Sequence, residues 1–391
     1  MRDRHQRATA LVFAVHGAVA GTLATRMPWL QDHFGLGTAA LGLVLLFPPI
    51  GSFLTMPVTA RLAYRFGPRA TTRVLLALWC ASLALPVLAP GPLWLVPVFL
   101  TSGATAGMCD LAMNAQGVLV ERRLGRSVMS GLHGMWSVGN LGGAGIGAVA
   151  AQAGLDARAH LVLMAAALVA VGAVGSRALL DDKPAPDEKP PKRFALPPRA
   201  VLLIGLIGFF GTFAERASGQ WATIYLTNVA GAGAGLAATG YAVFTACMVT
   251  VRLGGDFVVR RLGPVLTVRA GAVTAVLGGV IVVAFRTPAP VIVGFALFGA
   301  GLAVVVPLVF AAAGQVARTP AEGVAGVATI TWMSGLVAPS VIGWLAGTFA
   351  FPFAFALVTC MVAAMIQPAR ALSPRPATAR DPVPVEAACA D

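Results

Sequence analysis

The sequence has few charged residues for its length. Charged side chains make up 11% of its 391 residues, whereas a soluble protein surface is commonly about 25–35% charged. So few charges cannot cover even one water-soluble globule of this size. The shortage excludes a set of ordinary soluble domains and predicts that much of the surface faces lipid.

The cysteines are too scattered to form a structural framework. They are odd in number, and no two of them have the Cys-x-x-Cys spacing that metal and redox sites use. This pattern argues against a disulfide scaffold and against a zinc site, and we expect neither a metal nor a cofactor. The five residues are Cys80, Cys109, Cys247, Cys360 and Cys389.

Motifs of ATP-driven and catalytic membrane proteins are also missing. The sequence contains no Walker Gly-x-x-x-x-Gly-Lys-Ser/Thr loop, so we expect no ATP hydrolysis by this chain. Its five histidines are accompanied neither by paired carboxylates nor by metal-ligand spacing. A polytopic membrane enzyme is therefore disfavoured.

Long apolar runs dominate what remains. Hydrophobic residues make up 58% of the chain, and the mean hydropathy is +0.82. Backbone polar groups cannot stay unpaired in hydrocarbon, so each run predicts a helix of about 20 residues. We predict twelve spans, at 8–28, 39–60, 73–90, 93–118, 131–152, 160–180, 200–219, 236–258, 266–285, 290–313, 323–346 and 350–369.

Most of the 28 Lys and Arg residues fall on one side of these spans. By the positive-inside rule that side is the cytoplasm, and an even number of spans places both termini there. The net charge of +13 is therefore a topology signal, and we expect no nucleic acid partner. Residues 18–20 formally match a signal-peptide cleavage site, but the apolar run continues past them, so we expect a retained first helix.

An internal repeat divides the chain into two halves. Residues 65–73 align with 261–269 at an offset of 196, and the same offset pairs other residues further along the chain: Trp136 with Trp332, Gly139 with Gly335, and Gly147 with Gly343. The repeat predicts an all-α membrane protein of two like-oriented six-helix bundles, related by a pseudo-two-fold axis along the membrane normal. The predicted parts are a bundle at 1–180, a cytoplasmic linker at 181–198, a bundle at 199–370 and a disordered tail at 371–391.

Several segments carry a family resemblance. They are Arg26-Met27-Pro28, the run from Asp110 to Gln116, the run from Ser130 to Ser137, and Arg252-Leu253-Gly254-Gly255-Asp256. With the repeat and the basic Gly-Pro loops, these segments resemble the major facilitator superfamily and its bacterial branch related to fucose permeases. The resemblance implies a multi-pass transporter of the bacterial inner membrane, with a cavity lined by its first and fourth spans.

One departure from the family pattern concerns the gate at the cytoplasmic face. The family commonly has an acidic residue before the Arg of its basic loop, where this chain has Tyr64 in the first half and Arg260 in the second. Asp256 lies one turn before Arg260, so we expect the inner gate around Arg252 and Asp256. The other predicted gate residues of these loops are Arg65, Arg69 and Arg261.

Asp110 is the strongest candidate for a functional residue within the membrane. It lies 12 residues before Arg122, which is roughly 18 Å from the cytoplasmic end of its helix. Asn114 at i+4 shares its face. An ionisable group at this depth costs at least about 2.5–3.5 kcal/mol, so we predict that Asp110 carries the coupling proton. The alternative is a helix–helix hydrogen bond that only fixes packing.

His16 lies at a similar depth in the first predicted span. Its imidazole suits proton relay or hydrogen bonding to a solute hydroxyl. The alternative is a neutral histidine satisfied by a neighbouring helix. His133 and Trp136 share a face of the fifth span; we expect gating or packing from His133 and a cavity contact from Asn140. Trp136 and Trp332 are expected to form facing cavity walls, and an aromatic belt at the membrane interface is the alternative.

Glu215 and Arg216 are predicted to lie near the outer end of the seventh span. A helix break at 218–221 would bring Trp221 to the solute path, as broken helices do in transporters. Arg26 is expected at the same outer depth, so an ion pair between Arg26 and Glu215 would link the two halves. A solvated helix end is the alternative.

The residues therefore predict a secondary active transporter of a small organic solute, coupled to protons and working by alternating access. A sugar-like or polar metabolite is favoured by the resemblance, and by Gly139-Asn140 where drug antiporters have Gly-Pro. Efflux of a drug or secondary metabolite is the alternative, and a membrane sensor that transports nothing is a remote one. The expected partners are the solute, protons and the lipid bilayer, and the protein is expected to be monomeric.

Overall fold

The computed structural model describes residues 3–182, 199–317 and 319–373. Nearly all of the predicted linker and tail lie outside these residues. The described residues form helices and connecting turns, without a strand among them. The helices are α1 (Arg4–Thr25), α2 (Met27–His33), α3 (Thr38–Val44), α4 (Phe47–Phe66), α5 (Pro68–Ser82), α6 (Leu85–Leu88), α7 (Leu95–Leu124), α8 (Met129–Gln152), α9 (Ala157–Gly175), α10 (Arg199–Asn228), α11 (Ala234–Ala284), α12 (Pro288–Leu302), α13 (Val305–Val316), α14 (Pro320–Thr348) and α15 (Phe351–Ala364).

Every predicted apolar run falls on one or two of these helices. By length and composition, eight helical stretches among the described residues are able to cross a membrane. The longest element, α11, contains the eighth and ninth predicted spans and has a non-helical residue at Gly263, where φ is 75°. Glycine has no Cβ and adopts this conformation without strain. The chain therefore changes direction at Gly263, just before Pro264.

The seventh predicted span is too short. A break at 218–221 was expected, but α10 continues through these residues to Asn228. A single glycine costs a helix interior only about 1 kcal/mol, and Gly219 is the only strong breaker in this segment. Glu215 and Arg216 therefore lie in the interior of a long helix, far from its outer end.

The two helices α1 and α8 pack with their backbones in close approach. Four glycines line this contact, and a methyl group on any of them would meet a backbone carbonyl of the facing helix. Close approach through small residues is how membrane helices gain packing energy in the absence of a hydrophobic driving force. The four are Gly17, Gly21, Gly139 and Gly143.

The helix ends that carry the arginine-rich loops lie together. Arg126 donates to Gln6 Oε1 over 2.9 Å, Arg69 donates to the carbonyl of Arg177, and Arg260 donates to the carbonyl of Ser127 over 3.3 Å. We call this the basic end of the molecule. Gly67 (φ 85°) and Gly125 (φ 61°) terminate α4 and α7 here.

Candidate functional site

Asp110 lies close to the middle of α7 and is held by residues from both halves of the chain. Asn114 donates to Asp110 Oδ1 over 3.3 Å and to its backbone carbonyl over 2.8 Å. The Trp332 indole of α14 donates to Asp110 Oδ2 over 3.4 Å. The predicted shared face of Asp110 and Asn114 is thus present, and the partner from the other half is a tryptophan.

The hydrogen bonds continue from Asn114 to His133. His133 Nε2 lies 3.0 Å from Asn114 Oδ1. Its ring also packs between Phe13, at 5.3 Å, and Phe310 of the C-terminal half, at 6.0 Å. Trp332, Asp110, Asn114 and His133 therefore form one row of side chains across the two halves, which we call the central row.

Arg216 lies beside the central row. It is exposed although it belongs to the interior of α10, and its Nε lies 3.4 Å from the position that a Cβ on Gly335 would occupy. Gly335 follows Trp332 by nearly one turn of α14. Among the described residues, the Arg216 guanidinium has neither a hydrogen-bond acceptor nor an ion pair.

Glu215 pairs with Arg252, over 2.9 Å. The Arg252 side chain is only 5% exposed, and it also donates to the carbonyl of Ala303 over 3.1 Å and to Ser137 Oγ over 3.4 Å. A buried cation is stable only when its donors are satisfied, and Arg252 has such acceptors on several elements. Ser137 belongs to the N-terminal half, so Arg252 joins the two halves.

The predicted ion pair between Arg26 and Glu215 is wrong. Arg26 instead donates to His160 Nδ1 over 3.1 Å and to the carbonyl of Leu155 over 3.2 Å, both in its own half. The physical reason is the length of α10, which places Glu215 in the helix interior, within reach of Arg252.

Asp256 binds the first turn of α8 and forms no pair with Arg252. Its carboxylate accepts from the backbone amides of Ser130, over 3.0 Å, and Gly131, over 2.9 Å, and from Ser127 Oγ over 3.1 Å. Carboxylates are favoured at a helix N-terminus because the amides there are unpaired and the helix dipole is positive. Asp256 thus caps a helix of the opposite half of the chain.

Glu121 completes this cap and was missed by sequence reasoning. Its Oε2 accepts from the amides of Val128, over 2.9 Å, and Met129, over 3.2 Å. The four amides at the start of α8 are therefore divided between one carboxylate from each half. The available signal was an acidic residue just past the predicted span 93–118, ten residues before the predicted span 131–152.

His16 is held within the N-terminal half. Trp136 Nε1 donates to His16 Nδ1 over 3.0 Å, and His16 Nε2 lies 3.2 Å from the carbonyl of Ala106. A ring that accepts at Nδ1 donates at Nε2, so both nitrogens are occupied in this conformation. Trp136 therefore faces His16 and not Trp332, and Asn140 Nδ2 contacts the carbonyl of Gly17 at 3.5 Å.

The remaining predicted residues make contacts inside their own halves. Arg65 lies over the Phe66 ring at 5.2 Å, and Arg261 lies over the Phe257 ring at 5.0 Å. Arg69 contacts Arg177, as described above. Trp221 packs against Phe351 at 5.7 Å. None of these described contacts joins the halves.

Hydrogen bonds between the halves, among the described residues, run from the central row to the basic end. Besides those of Asp110, Arg252, Asp256 and Arg260, Arg122 donates to the carbonyl of Gly314. At the opposite end, Arg26 binds within its own half. This conformation is therefore closed at the basic end.

Comparison with known proteins identifies the relatives of the chain. The sequence model of the Major Facilitator Superfamily matches residues 9–338. An uncharacterized MFS-type transporter of Yersinia pestis is 33% identical over 369 residues, which is 94% of this chain and 96% of the relative.

Solved transporter structures share the fold, and two of them illustrate the similarity to the chain. The Escherichia coli fucose:proton symporter FucP superposes with a TM-score of 0.73 at 18% identity, covering 94% of this chain and 98% of that one. A bacterial homologue of the iron transporter ferroportin, in an outward-facing state, superposes with a TM-score of 0.75 at 13% identity, covering 96% and 100%.

Proposed function

The chain belongs to the major facilitator superfamily, and we propose that it moves a small organic solute across the bacterial inner membrane by proton-coupled alternating access. Membership makes the protein a membrane transporter and not an enzyme. The solute, the driving ion and the residues below are the proposal. The shared fold with a fucose:proton symporter supports proton symport over efflux.

The proposed architecture has twelve spans in two six-helix bundles, 1–180 and 199–370, with both termini in the cytoplasm. The offset of 196 supports it, because it pairs Gly67 with Gly263, and both have a positive φ directly before a proline. With this topology the basic end faces the cytoplasm. The conformation closed at the basic end is then outward-facing, and we expect one chain to work as a monomer.

Asp110 is the proposed proton carrier, and its contact with Trp332 is the observation on which this rests. In its ionised form, the Asp110 carboxylate accepts this hydrogen bond and joins the two halves at mid-helix. A hydrogen bond to an ionised group is roughly twice as strong as one between neutral groups. Protonation of Asp110 would therefore weaken the tie to α14 and lower the cost of separating the halves.

Arg252 and Asp256 are the proposed gate at the basic end. Both make contacts across the halves that must break before this end opens to the cytoplasm. The central row and the gate share α8, which carries His133 as well as the amides that Asp256 caps. Movement of α8 would therefore change both sites together.

Replacement of Asp110 by Asn tests proton coupling. The amide keeps the shape of the side chain but carries no titratable proton, so in proteoliposomes we expect loss of pH-driven accumulation with retention of solute exchange. Asp156→Asn is the matched control, because Asp156 caps α9 within its own half. Full pH-driven accumulation by Asp110→Asn would contradict the proposal.

A further inference from the structure

We propose that the transported solute carries an oxyanion group, a carboxylate or a phosphate, and that this group docks on Arg216 in the space between the two halves. The inference rests on the proposed transport function and adds the chemical class of the solute. It assigns Arg216 to solute binding, where the sequence suggested a gate.

The two arginines of this region differ in what surrounds them. Arg252 is buried and donates to Glu215, Ala303 and Ser137. Arg216 is exposed, and the described residues offer its guanidinium no acceptor, although its helix position places it in the membrane interior. A cation at this depth costs at least about 2.5–3.5 kcal/mol and marks a substrate or ion path.

One side of the Arg216 guanidinium lies against α14, and the rest of the side chain is exposed. The position that a Cβ on Gly335 would occupy is 3.6 Å from Cζ of Arg216. The planar fork of a guanidinium binds carboxylate and phosphate oxygens in pairs. An oxyanion at this place would contact residues of α10 and α14 while lying next to α7.

Asp110 and such an oxyanion would compete for the same positive charge. Asp110 bonds to Trp332, and Arg216 lies against Gly335, three residues further along the same helix. When Asp110 takes up a proton, Arg216 becomes an uncompensated cation. One proton and one anionic group therefore bind together. With a carboxylate the loaded carrier keeps the net charge of the empty one, and with a phosphate dianion its net charge falls by one.

The test uses four compounds that share the carbon skeleton of glucose and differ in net charge. Purified full-length protein in nanodiscs is heated with glucose, gluconate, glucose 6-phosphate or glucosamine at equal concentration. We expect gluconate or glucose 6-phosphate to raise the Tm of the wild type, and which of them does so tells carboxylate from phosphate. Arg216→Gln should lose this shift, Arg216→Lys should keep part of it, and Arg158→Gln, at the opposite end, should keep all of it.

Stabilisation by glucose or glucosamine that persists in Arg216→Gln would overturn the proposal, as would a panel in which neither oxyanion raises the Tm of the wild type. Asp110→Asn adds a second readout, because removal of the competing carboxylate should tighten oxyanion binding by about tenfold, or about 1.4 kcal/mol. Weaker oxyanion binding in Asp110→Asn would also overturn it.

A counterflow assay distinguishes failure of the oxyanion site from failure of the proposed transport function. Exchange of glucose that is insensitive to Arg216→Gln would overturn the oxyanion site and leave transport standing. Oxyanion binding without exchange of any member of the panel would keep the site and overturn transport.

Discussion

The helices α8 and α14 carry the matched tryptophans Trp136 and Trp332, yet their first turns are capped in different ways. The amides of α8 donate to Glu121 and to Asp256, the second of which belongs to the other half. The first turn of α14 is capped by its own Thr319, whose Oγ1 accepts from the Glu322 amide over 3.2 Å. The cap of α8 therefore depends on how the two halves are placed relative to each other, whereas the cap of α14 moves with its own helix.

The difference follows from two pairs of matched positions. At the offset of 196, Asp256 corresponds to Ala60 and Glu121 corresponds to Ala317, and an alanine has no group able to cap a helix. In the proposed alternating access, opening of the basic end would take an acceptor away from α8, while the Thr319 cap of α14 would be kept. We infer that the two sides of the proposed gate contribute unequally to the stability of the closed basic end, and that the larger contribution comes from the cap of α8.

The largest expected effect comes from Asp256→Ala. It removes the acceptor of two backbone amides and of Ser127 Oγ, so we expect the closed basic end to lose about 2 kcal/mol relative to the open one, a shift of roughly thirtyfold. The measurement is the distance between spin labels on Arg123→Cys and Leu262→Cys, one in each half.

The same labels on otherwise unchanged protein give the reference distances. A distribution in Asp256→Ala that matches the reference would show that the cap does not hold the basic end closed. The unequal gate would then be wrong.

Gly131→Ala is expected to have a smaller effect of the same sign. A methyl group on Gly131 would lie 2.7 Å from Asp256 Oδ2, so the carboxylate must move away from the amides. We expect a shift toward the open basic end of roughly fivefold, or about 1 kcal/mol. Gly142→Ala on the same helix is the matched control, because nothing lies within 4 Å of a methyl group there. Equal behaviour of the two variants would argue against a role for the Gly131 contact.

Thr319→Ala tests the other member of the comparison, the cap of α14. Loss of this N-cap should lower the free energy of unfolding by about 1 kcal/mol. The label distances at the basic end should stay unchanged, since the Thr319 cap lies within its own helix. Thermal unfolding measures the first effect and the spin labels measure the second. A change of distance as large as that of Asp256→Ala would make the two caps equivalent.

Much of the fold was predictable because it depends on local chain properties. Apolar runs longer than the hydrocarbon thickness must become helices, and each predicted run falls on helix. The turn at Gly263 follows from a repeat that is visible in the sequence. The extent of α10 was not predictable, because hydropathy falls near Glu215 while the helix continues to Asn228.

The site was predictable only in part. Asp110 and Asn114 share a face because they are four residues apart on one helix. The contact of Asp110 with Trp332 and that of Glu215 with Arg252 join residues distant in sequence. No spacing rule predicts such contacts, since they depend on how separate helices are rotated and how deep they lie.

The sequence by itself determined that the chain crosses the membrane repeatedly, that it is duplicated, and that few polar groups are placed inside the hydrocarbon, because each of these follows from local composition. Only the tertiary structure decided which charges are neutralised by neighbours. It left Arg216 exposed while Arg252 is buried and donates to Glu215, Ala303 and Ser137. The reason is that acceptors for a guanidinium come from several helices at once, and their positions are fixed only when the helices pack.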